Sequence, residues 1–173
     1  MHRAAFSRPP LCTMDKHTRD SLVGSLTALL EQGHAHATFE AATADVPAAL
    51  LNQRPDGLPY SLWQLAEHVR IAQWDILEFS RDAGHQSPEW PAGYWPAEDD
   101  HADAARWQAT LRQIQHDRAQ FLALLRDPAR DLLQPFEHGT GQTLLREALL
   151  IADHNAYHTG QIILVRRLLD NWD

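Results

Sequence analysis

The stretch Thr143-LLREALLIADHNAYHTGQIILVRRL-Leu169 decides the fold. Leu144, Ala148, Ile151, Asn155, His158, Ile162, Val165 and Leu169 recur at alternating spacings of four and three, the stripe that a helix presents to its partners in a bundle. Thr143 stands at the N-cap position, where its hydroxyl can accept from a free backbone N–H of the first turn. Asn155 and His158 interrupt the apolar stripe at its middle, and His154 flanks it beside Leu150 and Ile151. A polar ring buried there without a partner would cost about 1–3 kcal/mol. His154 and His158 are four apart, so both imidazoles share one face, separated by about 6 Å of helical rise. Two imidazoles held in this way can grip a first-row metal ion if a third ligand arrives from another helix.

Working back towards the N-terminus, a connection over 129–142 contains Pro135, Gly139 and Gly141. Before it, Trp107, Leu111, Ile114, Arg118, Phe121 and Leu125 mark a helix from about Ala102 to Arg126, stopped by Pro128. The arginine in that seam is expected to run its stem along the apolar surface and lift its guanidinium into solvent. The segment Gly84 to Asp100 holds Pro88, Pro91, Gly93 and Pro96 around Trp90, Tyr94 and Trp95, which excludes a regular helix. Its aromatic residues are expected to pack on the outside of the bundle, with a cover over a cavity mouth as the alternative.

Another helix begins at Ser61, which with Gln64 matches the S-x-x-Q capping box. Leu62, Leu65, Val69, Ala72, Ile76 and Phe79 form its seam, and His68 lies beside that seam between Leu65 and Ala72. A first helix, from roughly Lys16 to Gln32, carries Leu22, Leu26 and Leu29 and is interrupted by Gly33. His34 and His36 are two apart and fall on different faces of a helix, so they read as solvated or cavity-lining residues rather than ligands. No alternating strand pattern accompanies these four helices. The expected fold is all-α, a four-helix bundle with long connections that permit crossovers.

Composition narrows the function. At 173 residues, with 44% hydrophobic and 22% charged residues, the chain suits one folded domain, expected over 14–173, preceded by a flexible leader over 1–13. The leader has no apolar run of secretory type, and the single cysteine, Cys12, has no internal partner, which points to a reducing, cytoplasmic setting. A net charge of −8 opposes non-specific attraction to nucleic acid or to an anionic membrane.

His68, His154 and His158 together would hold one divalent metal, zinc or nickel before iron or manganese, and leave an open position of catalytic type. Asn155 stands where the zinc-protease pattern needs glutamate, so that chemistry is excluded. The bundle is poor in Glu-x-x-His pairs of the di-iron type, and the sequence has no Gly-rich phosphate loop and no cysteine zinc site. Gln161 lies one turn beyond His158 on the same face, and Asp153 and Asn155 are candidates for orienting a ring nitrogen.

Two stretches, Pro59-Tyr60-Ser61-Leu62-Trp63-Gln64-Leu65-Ala66-Glu67-His68-Val69 and His154-x-x-x-His158-x-Gly160-Gln161-Ile162, resemble the signature helices of the DinB-like superfamily. That superfamily includes YfiT-type metal-dependent hydrolases and bacillithiol transferases. The resemblance implies a four-helix bundle whose second and third helices are joined by a long crossover, often dimeric, with one divalent metal on three histidines. Carried over, the ligands are His68, His154 and His158. The implied activity is that of a hydrolase or a thiol S-transferase acting on a small molecule, a low-molecular-weight thiol among the candidates. A non-catalytic small-molecule-binding or stress-response dimer is the alternative, and a structural dimer with merely packed histidines the third. Trp63, Trp74 and Trp107 offer aromatic surface for a homodimer contact.

Overall fold

The structure is a computed structural model that describes residues 14–173. The leader expected over 1–13, with Cys12, lies outside the described residues. Among the described residues there are five α-helices and no strand: α1 Lys16–Gln32, α2 Phe39–Thr43, α3 Leu62–Arg81, α4 Ala104–Arg126 and α5 Leu144–Leu168. The four long ones are those that the periodicity marks. Only the five-residue α2 is additional.

Local chemistry sets the boundaries. Gly33 ends α1 in the left-handed region at φ 65°, where an added Cβ would come within 2.9 Å of the His36 carbonyl oxygen. At the start of α3, the Gln64 N–H donates to Ser61 Oγ at 3.3 Å and the Ser61 N–H donates to Gln64 Oε1 at 3.1 Å, completing the capping box. Thr143 caps α5 by accepting from the Arg146 N–H at 3.2 Å. Asp103 caps α4 in the same way. Because Ser61 is buried, its truncation leaves the Gln64 N–H without a substitute partner. Ser61→Ala is expected to lower stability by about 1 kcal/mol, read as a lower urea midpoint at unchanged slope.

The helix directions follow from which halves pack together. The first half of α3 (Leu62, Leu65, Val69) shares one apolar cluster with the first half of α4 (Trp107, Ile114) and the second half of α5 (Ile162, Val165). The second half of α3 (Ile76, Leu77) shares another with Phe121 and Leu125 of α4 and with Leu144, Ala148 and Ile151 of α5. Thus α3 and α4 run parallel and α5 runs antiparallel to both. A parallel pair cannot be joined by a tight turn, so the connection over 82–103 must travel back along the bundle. This is the crossover that the long loop permits.

Between the two apolar clusters lies a buried polar layer. Gln73 donates to the Ile114 carbonyl at 2.7 Å, and Asn155 donates to Gln73 Oε1 at 2.9 Å, so one amide chain ties α4, α3 and α5 in register. His158 and Thr159 are buried on the same stretch of α5.

Two sequence expectations fail here. Arg118 does not reach solvent: its side chain is 16% exposed and ion-paired with Glu40, a carboxylate delivered by α2. Trp63 and Trp107 are 1% and 2% exposed and Trp74 is half-buried, so they form core rather than a free aromatic surface. His34 and His36 are exposed, as expected. No helix among the described residues is long and apolar enough to cross a membrane.

Candidate metal centre

Antiparallel packing of α3 and α5 brings His68 opposite the pair His154 and His158. One ring nitrogen from each of the three lies within 4.8 Å of the others. His68 and His158 are buried and His154 is half-buried. The Nε2 atoms of His68 and His154 are 3.1 Å apart, and the ring centroids of His154 and His158 are 4.4 Å apart.

The far side of each ring determines what the near side can offer. His68 Nδ1 donates to the Tyr94 carbonyl at 2.8 Å, and His158 Nδ1 donates to Gln161 Oε1 at 2.7 Å. A neutral imidazole that donates from Nδ1 keeps a lone pair on Nε2. Two Nε2 lone pairs are thereby aimed inward, and the His68–His154 contact can accommodate either one ring proton or a shared cation. The donor set therefore fits a divalent ion of the zinc or nickel type, which favours neutral imidazole nitrogen.

Burial, above all, holds these rings in the neutral form. It pushes His154 and His158 down to about 4, aided by the positive charge that each would feel from its neighbours, and it lowers His68 in the same direction. The unfolded rings titrate near 6.5, so from about pH 6.5 down to about 4 the unfolded chain takes up protons that the folded one refuses. The contribution of these rings to stability is thus fully present above pH 6.5 and is lost as the pH falls through that window. Urea unfolding in the presence of a chelator should show this slope, and His154→Ala should flatten it.

The helper residues divide. Gln161 holds the His158 ring and also donates to the Tyr157 hydroxyl at 3.2 Å. Asn155 is tied to Gln73, so it fixes the rotation of α5 rather than orienting a ring. Asp153 is exposed and acts on His154 only as a nearby negative charge. Glu67, although adjacent to His68, is committed to Thr110 and Arg70.

Sequence reasoning misplaced the crossover loop. Trp95 stacks flat on His68, with centroids 3.8 Å apart and planes 1° from parallel, and Tyr60 also stacks on Trp95 at 4.2 Å. The loop covers the site, although Trp90, at 73% exposure, does lie outside. Nothing in the loop's composition distinguishes the two tryptophans, because a segment without periodicity has no face to read. A cleft of about 450 Å³ lined by Asn52, Arg54, Ser61, Gln64 and Glu98 includes none of the three histidines. We assign the candidate site to the convergent rings rather than to that cleft, since the cleft's guanidinium is already paired with Glu98.

Comparison with curated proteins found no match, and comparison with solved structures found none. The family model described as DinB superfamily matches residues 29–162, a span running from the end of α1 to the third quarter of α5 and including all three histidines. A helical bundle with its second long connection crossing over, three convergent imidazoles and a match over most of the chain lead to one conclusion: the chain belongs to the DinB superfamily.

Proposed function

We propose that His68, His154 and His158 hold one divalent metal ion, with zinc or nickel preferred, and that the chain uses it as a hydrolase or thiol S-transferase acting on a small molecule. The observation that carries this reading is the convergence of three neutral, desolvated imidazoles, two of which have Nδ1 committed to oxygen acceptors. When bound, such an ion supplies Lewis acidity, which lowers the pKa of a water or of a thiol. Three protein ligands, rather than four, leave room for that exogenous group.

The chain's own residues do the rest. Gln161 and the Tyr94 carbonyl fix the ring planes of His158 and His68 before anything binds, which lowers the ordering cost at the site. The Trp95 face covers His68 on its loop side and excludes water there. The half-buried His154 and the exposed Tyr157 mark the side left for a substrate to approach. A homodimer belongs to the same proposal. With Trp63 and Trp107 buried, its contact would use the outer face of α5, where Leu149, Leu164 and Leu168 are exposed.

Elemental analysis of untagged protein tests the reading. It should find about one divalent transition metal per chain, and metal-loaded protein should turn over a member of a panel of hydrolysable esters and amides or of thiol–electrophile pairs. Metal-free protein that cannot be loaded would reduce the histidines to packing. Loaded protein that returns every bound compound unchanged would favour the binding-protein alternative.

A further inference from the structure

Among the buried carboxylates of the described residues, Asp75 is the one joined by hydrogen bonds to the crossover connection. Asp75 lies seven residues after His68 on α3, two turns along the same face, and is 8% exposed. Its Oδ1 is 2.7 Å from His85 Nε2, and its Oδ2 accepts from the Tyr94 hydroxyl at 2.6 Å. A carboxylate buried this deeply is costly unless both oxygens are satisfied. Here both partners come from the crossover connection, not from the helices of the bundle. Asp75 therefore holds the loop.

Tyr94 is the residue through which this hold reaches the site. Its side chain ends on Asp75, while its own backbone carbonyl accepts from His68 Nδ1 at 2.8 Å. One loop residue thus bridges two points on α3 that are seven positions apart, and the next residue, Trp95, lies flat on the His68 ring. Without the phenol–carboxylate bond, His85 would still tie the loop to Asp75, but Tyr94 and Trp95 would be held against His68 mainly by stacking, which constrains distance and plane but does not choose which ring nitrogen carries the proton. Trp74 packs edge-on against His85 with centroids 5.3 Å apart, which closes the outer side of the network.

We propose that Asp75 and Tyr94 are positioning residues for His68. Asp75 anchors the Tyr94 phenol, and the anchored Tyr94 carbonyl keeps His68 in the Nδ1–H tautomer, with its Nε2 lone pair facing His154 and His158. Neither residue touches the proposed metal position. The inference rests on the metal reading above, but the tautomer it specifies exists with or without a metal.

That independence determines the experiment. Nitrogen-resolved NMR of the imidazole rings in metal-free protein at neutral pH should show His68 almost wholly protonated on Nδ1. Tyr94→Phe removes only the hydroxyl and is expected to fold, to show a mixture of tautomers at His68, and to weaken zinc binding, measured by chelator competition, by roughly 10–100-fold. Asp75→Asn keeps an oxygen that can accept from the phenol and should restore most of the Nδ1 preference, whereas Asp75→Leu should not. If Asp75→Leu fails to fold, Tyr94→Phe decides. A folded Tyr94→Phe protein with the wild-type tautomer would overturn the proposal, even if its thermal stability had dropped. Failure of the wild-type protein to bind zinc would sink the metal reading alone, and the tautomer measurement would still judge this one.

Discussion

His158→Ala is expected to abolish stoichiometric binding of zinc or nickel, a larger loss than the roughly 10–100-fold that removal of an outer hydrogen bond costs. The ring is buried among its two partners and its Nδ1 is fixed by Gln161, so no neighbour can swing in to replace it. Alanine leaves two imidazoles on separate helices, which is short of the three-ligand set of an open zinc site. The effect on the metal-free fold should be modest, because the deleted ring is a desolvated polar group whose burial contributes little. The contrast appears in paired thermal melts. Metal at 100 times its dissociation constant should stabilise the wild-type protein by about 2.7 kcal/mol and the variant hardly at all. Equal stabilisation of both would show that the ion binds elsewhere.

Phe121→Ala should produce the opposite pattern. Phe121 is 0% exposed, in the cluster formed with Ile76, Leu125 and Ile151, on the far side of the polar layer from the cluster that contains Leu65 and Val69. Emptying that volume is expected to cost about 3–5 kcal/mol, from a total that for a domain is typically about 5–15 kcal/mol. For a chain of this size the melting temperature should fall by roughly 6–20 °C. Metal affinity of the remaining folded protein should be unchanged, since the histidines are held by the Gln73–Asn155 chain and by the loop rather than by this cluster. Chemical denaturation and chelator competition on the same preparation test both halves. A large loss of affinity would mean that the polar layer does not insulate the site from the core beneath it.

What could be read from the sequence follows what repeats. The four long helices were legible because an amphipathic stripe of four or more turns has few alternatives, and Ser61, Gln64 and Thr143 fix two of the starts by chemistry local to a single turn. The pair His154 and His158 was legible for the same reason. The place of His68 was not a local property. It depends on the mutual rotation of α3 and α5, which the family resemblance supplied and the Gln73–Asn155 bond enforces.

The misses are tertiary. The five-residue α2 is too short to show a period, and it is held from outside, by Thr38 at its cap and by Arg166 donating to the carbonyls of Ala42 and Ala44 at 2.8 and 2.9 Å. Arg166, near the end of α5, is 6% exposed. Once α2 is in place its Glu40 meets Arg118, and the snorkelling expectation fails. Asp75 had a faint signal, a charged residue two turns along the face that carries His68, just as Glu147 stands two turns before His154. Buried charge one heptad from a candidate ligand is a pattern that a sequence can display, whereas the loop partners that explain it are not.

The central claim is that three imidazoles from two antiparallel helices form one metal site. Its most direct test is an anomalous-difference map from crystals of untagged protein, with data collected on both sides of the absorption edge of the metal found by elemental analysis. The account predicts a single strong peak per chain, enclosed by His68, His154 and His158. A peak held by other residues, or none in protein shown to contain the metal, would contradict it.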